Sequence, residues 1–566
     1  MKNSKIFYLA ALLIGTAVIW IGIIKPRLFV SNAHVEKENE YKWNEHVIGV
    51  YERGQKTGIT EFDSLQLIAI KLDKSPDQNG FQGLLQDINP KYPVLLTIET
   101  LPSSGDNILE NCINGEYDSK IKALCNAISS KNTVFYLRWN PEMEVPVTLY
   151  PWQYQSSETY IQAFRHFTAL CRSIAPEIKI VWGTAGYPGA DEYWPGRDVV
   201  DLISITLNTK SEGLTSAYSH EKDMTEVIRR KILRMRFMNK PVLVLQAPDA
   251  ETDPLPTGKL AASIREIKEE DSTIYSFINT ENNIRPYIPA TARMPLIGVY
   301  DPKLLLALSP SVGVEHLFID LNNFRDGTFE KLFNEVISRK HDVIITFEPW
   351  KDEKYDESAV LSNTIQGVYD NQFRELYRII SNVKQTVYLR FLHEMEIPIH
   401  RYPWQSQDPV SYIKAFRYFM NFNKIKAENI KKVWGPAGDR GSMEWWPGDD
   451  VVDYVSMAIY GLPDKNITDP NQQEQFGTIY KRKYHRMRFT NKPVFITEFG
   501  VTGPEEFQKK WLEDAAAVIN SHREIYGINY FNLADNPKVW GDIPTPVWSI
   551  SKETFDHFVL ILSKRK

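Results

Sequence analysis

The feature that most narrows what this 566-residue chain can fold into is that it is written twice. Ile48-Gly49-Val50-Tyr51 returns as Ile297-Gly298-Val299-Tyr300, and Thr97-Ile98-Glu99 as Thr346-Phe347-Glu348, both at a spacing of 249. After a three-residue difference the spacing becomes 252 and holds. Tyr150-Pro151-Trp152-Gln153 then matches Tyr402-Pro403-Trp404-Gln405, Trp194-Pro195-Gly196 matches Trp446-Pro447-Gly448, and Arg234-Met235-Arg236-Phe237 matches Arg486-Met487-Arg488-Phe489. A register kept across so many motifs reads as a repeated domain.

Each copy is about 245 residues, the size of one (β/α)₈ barrel. In the second copy, short apolar runs at Ile297–Tyr300, Leu317–Leu321, Val343–Phe347, Val387–Leu392, Lys432–Trp434, Tyr454–Tyr460, Val494–Thr497 and Ile528–Phe531 read as strands. Amphipathic stretches such as Ser411–Asn423 and Glu505–Ser521 fall between them as helices. Parallel strands need helical crossovers and are buried on both faces, so eight such units imply a closed barrel. The first copy ends alike, with Ile274–Phe277 as its expected eighth strand. The fold class is therefore α/β, two tandem TIM barrels, spanning residues 46–288 and 289–566.

Ile6 to Ile24 form 19 uncharged, mostly apolar residues, enough to cross a hydrocarbon core of about 30 Å as one transmembrane helix. The basic Lys25-Pro26-Arg27 step argues against processing at Ser31-Asn32-Ala33. Residues 1–27 are thus expected to be an uncleaved membrane anchor and 28–45 a polar tether, with the barrels extracytoplasmic, in a periplasm or at the cell surface. A net charge of −5 gives no footprint for phosphate backbones, which argues against a nucleic-acid partner. Cys112, Cys125 and Cys171 match no metal-site spacing. They read as buried free thiols, or, in an oxidising compartment, as a Cys112–Cys125 bridge and one spare.

Barrel enzymes place chemistry at the C-terminal ends of their strands. In the second copy strand three ends at Glu348-Pro349-Trp350, strand four at His393-Glu394, strand six at Tyr460 and strand seven at Glu498. Side chains two apart share a face of a strand. That rule groups Val494 and Ile496 with Glu498, Arg390 and Leu392 with Glu394, and Ser456 and Ala458 with Tyr460. Two carboxylates at opposed strand ends suit glycosidic-bond cleavage, in which a neutral carboxylic acid protonates the leaving oxygen while a charged carboxylate attacks the anomeric carbon. Glu394 and Glu498 are the expected pair. Such a mechanism needs no metal or cofactor, and none is expected.

His393-Glu394-Met395 after Arg390, Tyr402-Pro403-Trp404, Trp446-Pro447-Gly448-Asp449, Val452-Asp453 leading to Tyr460, and Thr497-Glu498-Phe499-Gly500 together resemble glycoside hydrolase family 26, the β-mannanase family. The resemblance covers nearly the whole second copy and, more weakly, the first. It implies a retaining hydrolase of β-mannan or a related β-linked polysaccharide. Glu394 would be its acid/base, Glu498 its nucleophile, His393 a sugar contact and Tyr460 a hydrogen-bond donor to Glu498. Arg390, Glu348, Trp350, Trp404 and Trp446 would line the sugar site, the tryptophans as stacking platforms alongside Trp445. The sequence departs from the family pattern at Ala458, Glu396 and Asn532, where Asp, Asn and an aromatic residue are usual.

At the 252 spacing Glu498 corresponds to Gln246, Tyr460 to Asn208 and His393 to Pro141, and only the acid survives, as Glu142. An amide is a poor nucleophile, so the first barrel is expected to be inactive. It would either hold glycan on Trp152, Trp182 and Trp194 or act as a spacer. The alternative for the whole chain is a non-catalytic scaffold in a polysaccharide synthase and export complex.

Overall fold

The computed structural model describes residues 46–51, 59–60, 65–73, 80–101, 107–207, 212–214, 224–246, 293–423, 427–461, 474–537 and 545–565. The expected anchor, the tether and the Ile274–Phe277 strand lie outside them. Among the described residues no helix is long and apolar enough to cross a membrane.

In the C-terminal unit, β9 (Leu296–Tyr300), β10 (Val314–Asp320), β11 (Asp342–Glu348), β12 (Val387–Phe391), β13 (Ile430–Trp434), β14 (Tyr454–Gly461), β15 (Val494–Val501) and β16 (Ile525–Phe531) close into a barrel. Every neighbouring pair is parallel, and β16 returns to β9. Val343, Ile344 and Ile345 show why a continuous apolar run suits such a strand. All three are fully buried, Ile344 facing the barrel interior and Val343 and Ile345 the helices. Val314, Ile344, Tyr388, Val433 and Phe495 form one interior layer.

Strand β10 begins three residues before the run at Leu317, because its first turn is polar in sequence yet buried in space. Glu315 accepts from Arg339 Nε at 2.7 Å and pairs with His341 Nδ1 at 2.8 Å, which removes the cost of an unpaired buried charge. The helix Pro409–Met420 likewise starts before Ser411. Asp408 caps it by accepting from the Ser411 amide at 2.9 Å, and Pro409 occupies its first turn, where no amide hydrogen is needed.

In the N-terminal unit the strand expected to close the barrel lies outside the described residues. Strands β1 (His46–Tyr51), β2 (Ile59–Thr60), β3 (Gln66–Leu72), β4 (Val94–Thr100), β5 (Phe135–Trp139), β6 (Lys179–Thr184), β7 (Leu202–Leu207) and β8 (Val242–Gln246) form one open sheet in the order β2-β1-β8-β7-β6-β5-β4-β3. Neighbours from β3 to β8 are parallel. β1 instead runs antiparallel to both β8 and β2. With no eighth strand beside β8 among the described residues, β1 takes that edge and satisfies its backbone groups. In this structure all three cysteines are buried free thiols, the first of the two readings, and the sulfur met by Cys125 is that of Cys171. Cys125 Sγ lies 2.9 Å from Cys171 Sγ, while Cys112 Sγ points at the Ala163 carbonyl 3.8 Å away.

Candidate active site

Arg390, on β12, organises the mouth of the C-terminal barrel. It is 1% exposed, and its guanidinium donates to Thr346 Oγ1 through Nε at 3.0 Å, to Thr497 Oγ1 through Nη1 at 2.6 Å, and to Glu498 Oε1 through Nη2. Room for it comes from Gly435, where an added Cβ would sit 2.5 Å from Arg390 Cδ. Below it, Asn529 Nδ2 meets His316 Nδ1 at 3.2 Å, and His316 Nε2 meets Thr346 Oγ1 at 2.7 Å. Burial and the Arg390 charge hold His316 well below its usual pKa, so it is neutral.

Strict alternation along β15 does not deliver Glu498. Ser456 pairs with Phe495 but Ala458 pairs with Glu498, so three residues of β15 oppose two of β14. This bulge lets the consecutive residues Thr497 and Glu498 both reach Arg390, a re-aiming that bulges beside active sites commonly perform. The second Glu498 oxygen accepts from the Tyr460 hydroxyl at 3.1 Å. Tyr460 is itself held well above its usual pKa by burial and by the charge of Glu498, so it stays a protonated donor. One guanidinium and one phenol thus fix Glu498 as an oriented carboxylate.

Glu394 is placed by backbone geometry beyond the end of β12. Leu392 and Glu394 have φ of 49° and 53°, left-handed values that non-glycine residues seldom adopt, and the Glu394 amide donates to the Gly435 carbonyl at 2.8 Å. The face shared by Arg390, Leu392 and Glu394 in an extended strand is therefore not the arrangement found. Burial, then the Glu498 charge, raise the half-buried Glu394 carboxyl to about 8, against the opposing fields of Arg390 and Arg401. At neutral pH Glu394 is held as a carboxylic acid.

Around this pair, His393 is 1% exposed and held well below its usual pKa by burial and by Arg390. Its Nε2 lies 3.8 Å from Glu348 Oε1, and its Nδ1 has no hydrogen-bond partner among the described residues. Burial raises Glu348 to about 7, and Trp350 Nε1 donates to its Oε2 at 3.0 Å.

Three of the four expected stacking platforms are not available to a sugar. Trp404 is 0% exposed, donates to the His393 carbonyl at 2.7 Å, and stacks on Tyr402 at 4.8 Å and 3°. Trp446 is 3% exposed and packs edge-on against Trp434 at 5.0 Å, and Trp445 is buried as well. These rings hold the loops that carry His393 and the strand-five turn. Trp350 alone of the expected platforms is partly open, with Lys351 Nζ 4.7 Å from its ring.

Three residues at the mouth escaped the sequence reading. Arg401 Nη2 lies 3.7 Å from Asp535 Oδ1, linking the loops after β12 and β16 beside Glu394. Trp548, far along the chain, is 2% exposed and backs Tyr460 with its ring 4.6 Å away. Asn532 is structural, donating to Asp301 Oδ1 at 3.1 Å and accepting from the Ile550 amide at 3.1 Å. Glu396 is structural too, accepting from the Gly438 and Asp439 amides and Ser442 Oγ at 2.9, 3.1 and 2.9 Å. Among the described residues no group of three or more His, Cys, Asp or Glu side chains is placed to hold a metal ion.

No family model matches the chain. It is similar to the β-1,3-xylanase TXYA of a Vibrio species, 29% identical over 159 residues, 26% of this chain and 30% of that protein. It is also similar to endoglucanase H of Acetivibrio thermocellus, 25% identical over 229 residues, 35% of this chain and 25% of that one. A mannan endo-1,4-β-mannosidase of Thermothelomyces thermophilus is 30% identical over 112 residues, 19% of this chain and 22% of that one. The chain thus spans less than a third of the length of each of these relatives, and each is named for action on a glycan. Among solved structures, a GH26 β-mannanase from Bacteroides ovatus aligns at 15% identity and a TM-score of 0.35, over 48% of this chain and 88% of that chain. A GH5-4 broad-specificity endoglucanase from Ruminococcus flavefaciens aligns at 14% identity and 0.33, over 44% and 82%.

At the corresponding place in the N-terminal unit both described side chains are buried. Glu142 is 1% exposed and Gln246 3% exposed, whereas Glu394 is half-buried. Trp152, Trp182 and Trp194 are 1%, 0% and 3% exposed, so they pack the unit and offer no face to a sugar. Trp152 donates to the Pro141 carbonyl at 2.6 Å, the same bond that Trp404 makes to His393. Asn208 lies outside the described residues.

Proposed function

We propose that the C-terminal barrel is a retaining glycoside hydrolase acting on a β-linked polysaccharide, with Glu394 as acid/base and Glu498 as nucleophile. The observation that carries this reading is two carboxyl groups at one mouth in unlike surroundings. Glu498 is gripped by Arg390 and Tyr460, and Glu394 is pushed to about 8. In the first step Glu498 attacks the anomeric carbon as Glu394 gives its proton to the departing glycosidic oxygen. In the second, Glu394 takes a proton from water as that water displaces Glu498. The partly open Trp350 face is a surface left to meet the sugar, with the buried His393 behind the pair. The resemblance to family 26 and the xylanase, endoglucanase and mannosidase relatives support β-mannan, or a related β-1,4- or β-1,3-linked glycan, as substrate.

We assign the N-terminal unit a non-catalytic role, because its remaining acid is buried and its nucleophile position is an amide. The apolar run at Ile6–Ile24 supports a membrane anchor with both units extracytoplasmic. Reducing-end release from a panel of β-mannan, β-1,3-xylan and β-glucans, compared with Glu498→Gln, tests the activity. Proton NMR of the first-formed anomer tests retention. Absence of turnover on every glycan by the intact chain, or an inverted first product, overturns the assignment.

A further inference from the structure

The chain has three cysteines in 566 residues, and all three fall on successive helices of the N-terminal unit. Cys112 is on helix Ile108–Ile113, Cys125 on Asp118–Ser129 and Cys171 on Ser157–Ile174. We propose that Cys125 and Cys171 are joined as a disulfide that staples the second of these helices to the third. Their sulfurs are 2.9 Å apart, inside the roughly 3.5–4 Å of an ordinary non-bonded heavy-atom contact, and both residues are fully buried.

The C-terminal unit shows what this staple replaces. At the 252 spacing the same two positions are Tyr377 and Asn423. There Tyr377 Oη donates to the Phe419 carbonyl at 2.9 Å, tying helix Asp370–Ile380 to helix Pro409–Met420, and its ring stacks on Phe422 at 6.2 Å. Phe373, packed on Phe419 at 4.8 Å, completes that aromatic seam. The N-terminal unit has Ile121 and Leu170 where Phe373 and Phe422 stand, so both the hydrogen bond and most of the aromatic seam are gone. Two sulfurs lie where the tie was.

The bond forms by exchange with the disulfide of a thiol oxidoreductase or a small-molecule disulfide. The Cys125 thiolate attacks one sulfur of that oxidant and expels the other as a thiol. Cys171 then loses its proton and attacks Cys125, releasing the oxidant's second thiol. Two protein thiols are oxidised and one oxidant disulfide is reduced to two thiols. Because both sulfurs are sealed in the folded unit, exchange takes place before the helices close. Cys112 stays reduced: its thiol is buried against Ala163, and burial pushes it up to about 12.

The test uses the full-length chain produced in an oxidising compartment, unfolded in guanidinium with N-ethylmaleimide. One adduct, on Cys112, is expected before reduction and three after, with a Cys125–Cys171 cross-linked peptide about 2 Da lighter than its two reduced halves. Reduction is expected to lower the melting temperature of the N-terminal transition by roughly 5–10 °C in both wild type and Cys112→Ser. Three adducts without reduction, a bridge that includes Cys112, or an unchanged melting temperature on reduction overturns the proposal.

Discussion

Whether Glu394 is an acid or a base at rest depends on where it sits among other charges. Its carboxyl, raised to about 8, is expected to set the alkaline limb of kcat/KM, with activity falling above that pH as the proton needed by the leaving oxygen is lost. The Arg401 field favours the charged form of Glu394, so Arg401→Ala is expected to move that limb to higher pH. A pH–rate profile reads both, and an unmoved limb would show that Arg401 does not act on the acid. Glu498→Gln should lower kcat by at least about 10³-fold. Glu394→Gln should cost roughly 10²–10⁴-fold on polysaccharide and far less on aryl glycosides, whose leaving groups need no proton. Removing the single Tyr460 hydroxyl in Tyr460→Phe takes one charge-assisted hydrogen bond from Glu498, a loss of about 10-fold in kcat.

Among elements, the bulge in β15 and the left-handed residues after β12 aim the chemistry, and the buried tryptophans hold the loops in place. Trp404 donates to the His393 carbonyl, lies 6.0 Å from the His393 ring and packs on Tyr402. Its truncation to Ala is expected to cost about 3–5 kcal/mol of stability in denaturant titration. Trp350→Ala, at a partly open ring, is expected to raise KM several-fold with little change in melting temperature. If Trp404→Ala instead weakened substrate binding at unchanged stability, the ring would be a sugar platform after all. A linear reading gave all four rings the same role, because a Trp beside a strand end reads alike whether its ring faces core or cleft.

At the scale of the whole molecule, the site is kept at the expense of stability. Glu348 and Glu394 have folded-state values of about 7 and about 8 against an ordinary 4.5, so the fold binds protons that the unfolded chain has released. Their contribution is fully present below about pH 4.5 and is lost as pH rises through 7 and 8. The melting temperature of the C-terminal transition should therefore fall between pH 5 and 8, and fall less in Glu348→Gln/Glu394→Gln. The chain order of strands, the opposed carboxylates at β12 and β15, and the amide at Gln246 were legible from the sequence, since apolar runs and repeated motifs are local signals. Tertiary structure alone decided four other things. These were the antiparallel seating of β1, the three-against-two register that turns both Thr497 and Glu498 onto Arg390, the arrival of Arg401, Asp535 and Trp548 at the mouth, and the meeting of Cys125 with Cys171. Each joins residues distant in sequence or breaks strand alternation. Such contacts follow from how the packed chain satisfies its buried polar groups, which no single segment specifies.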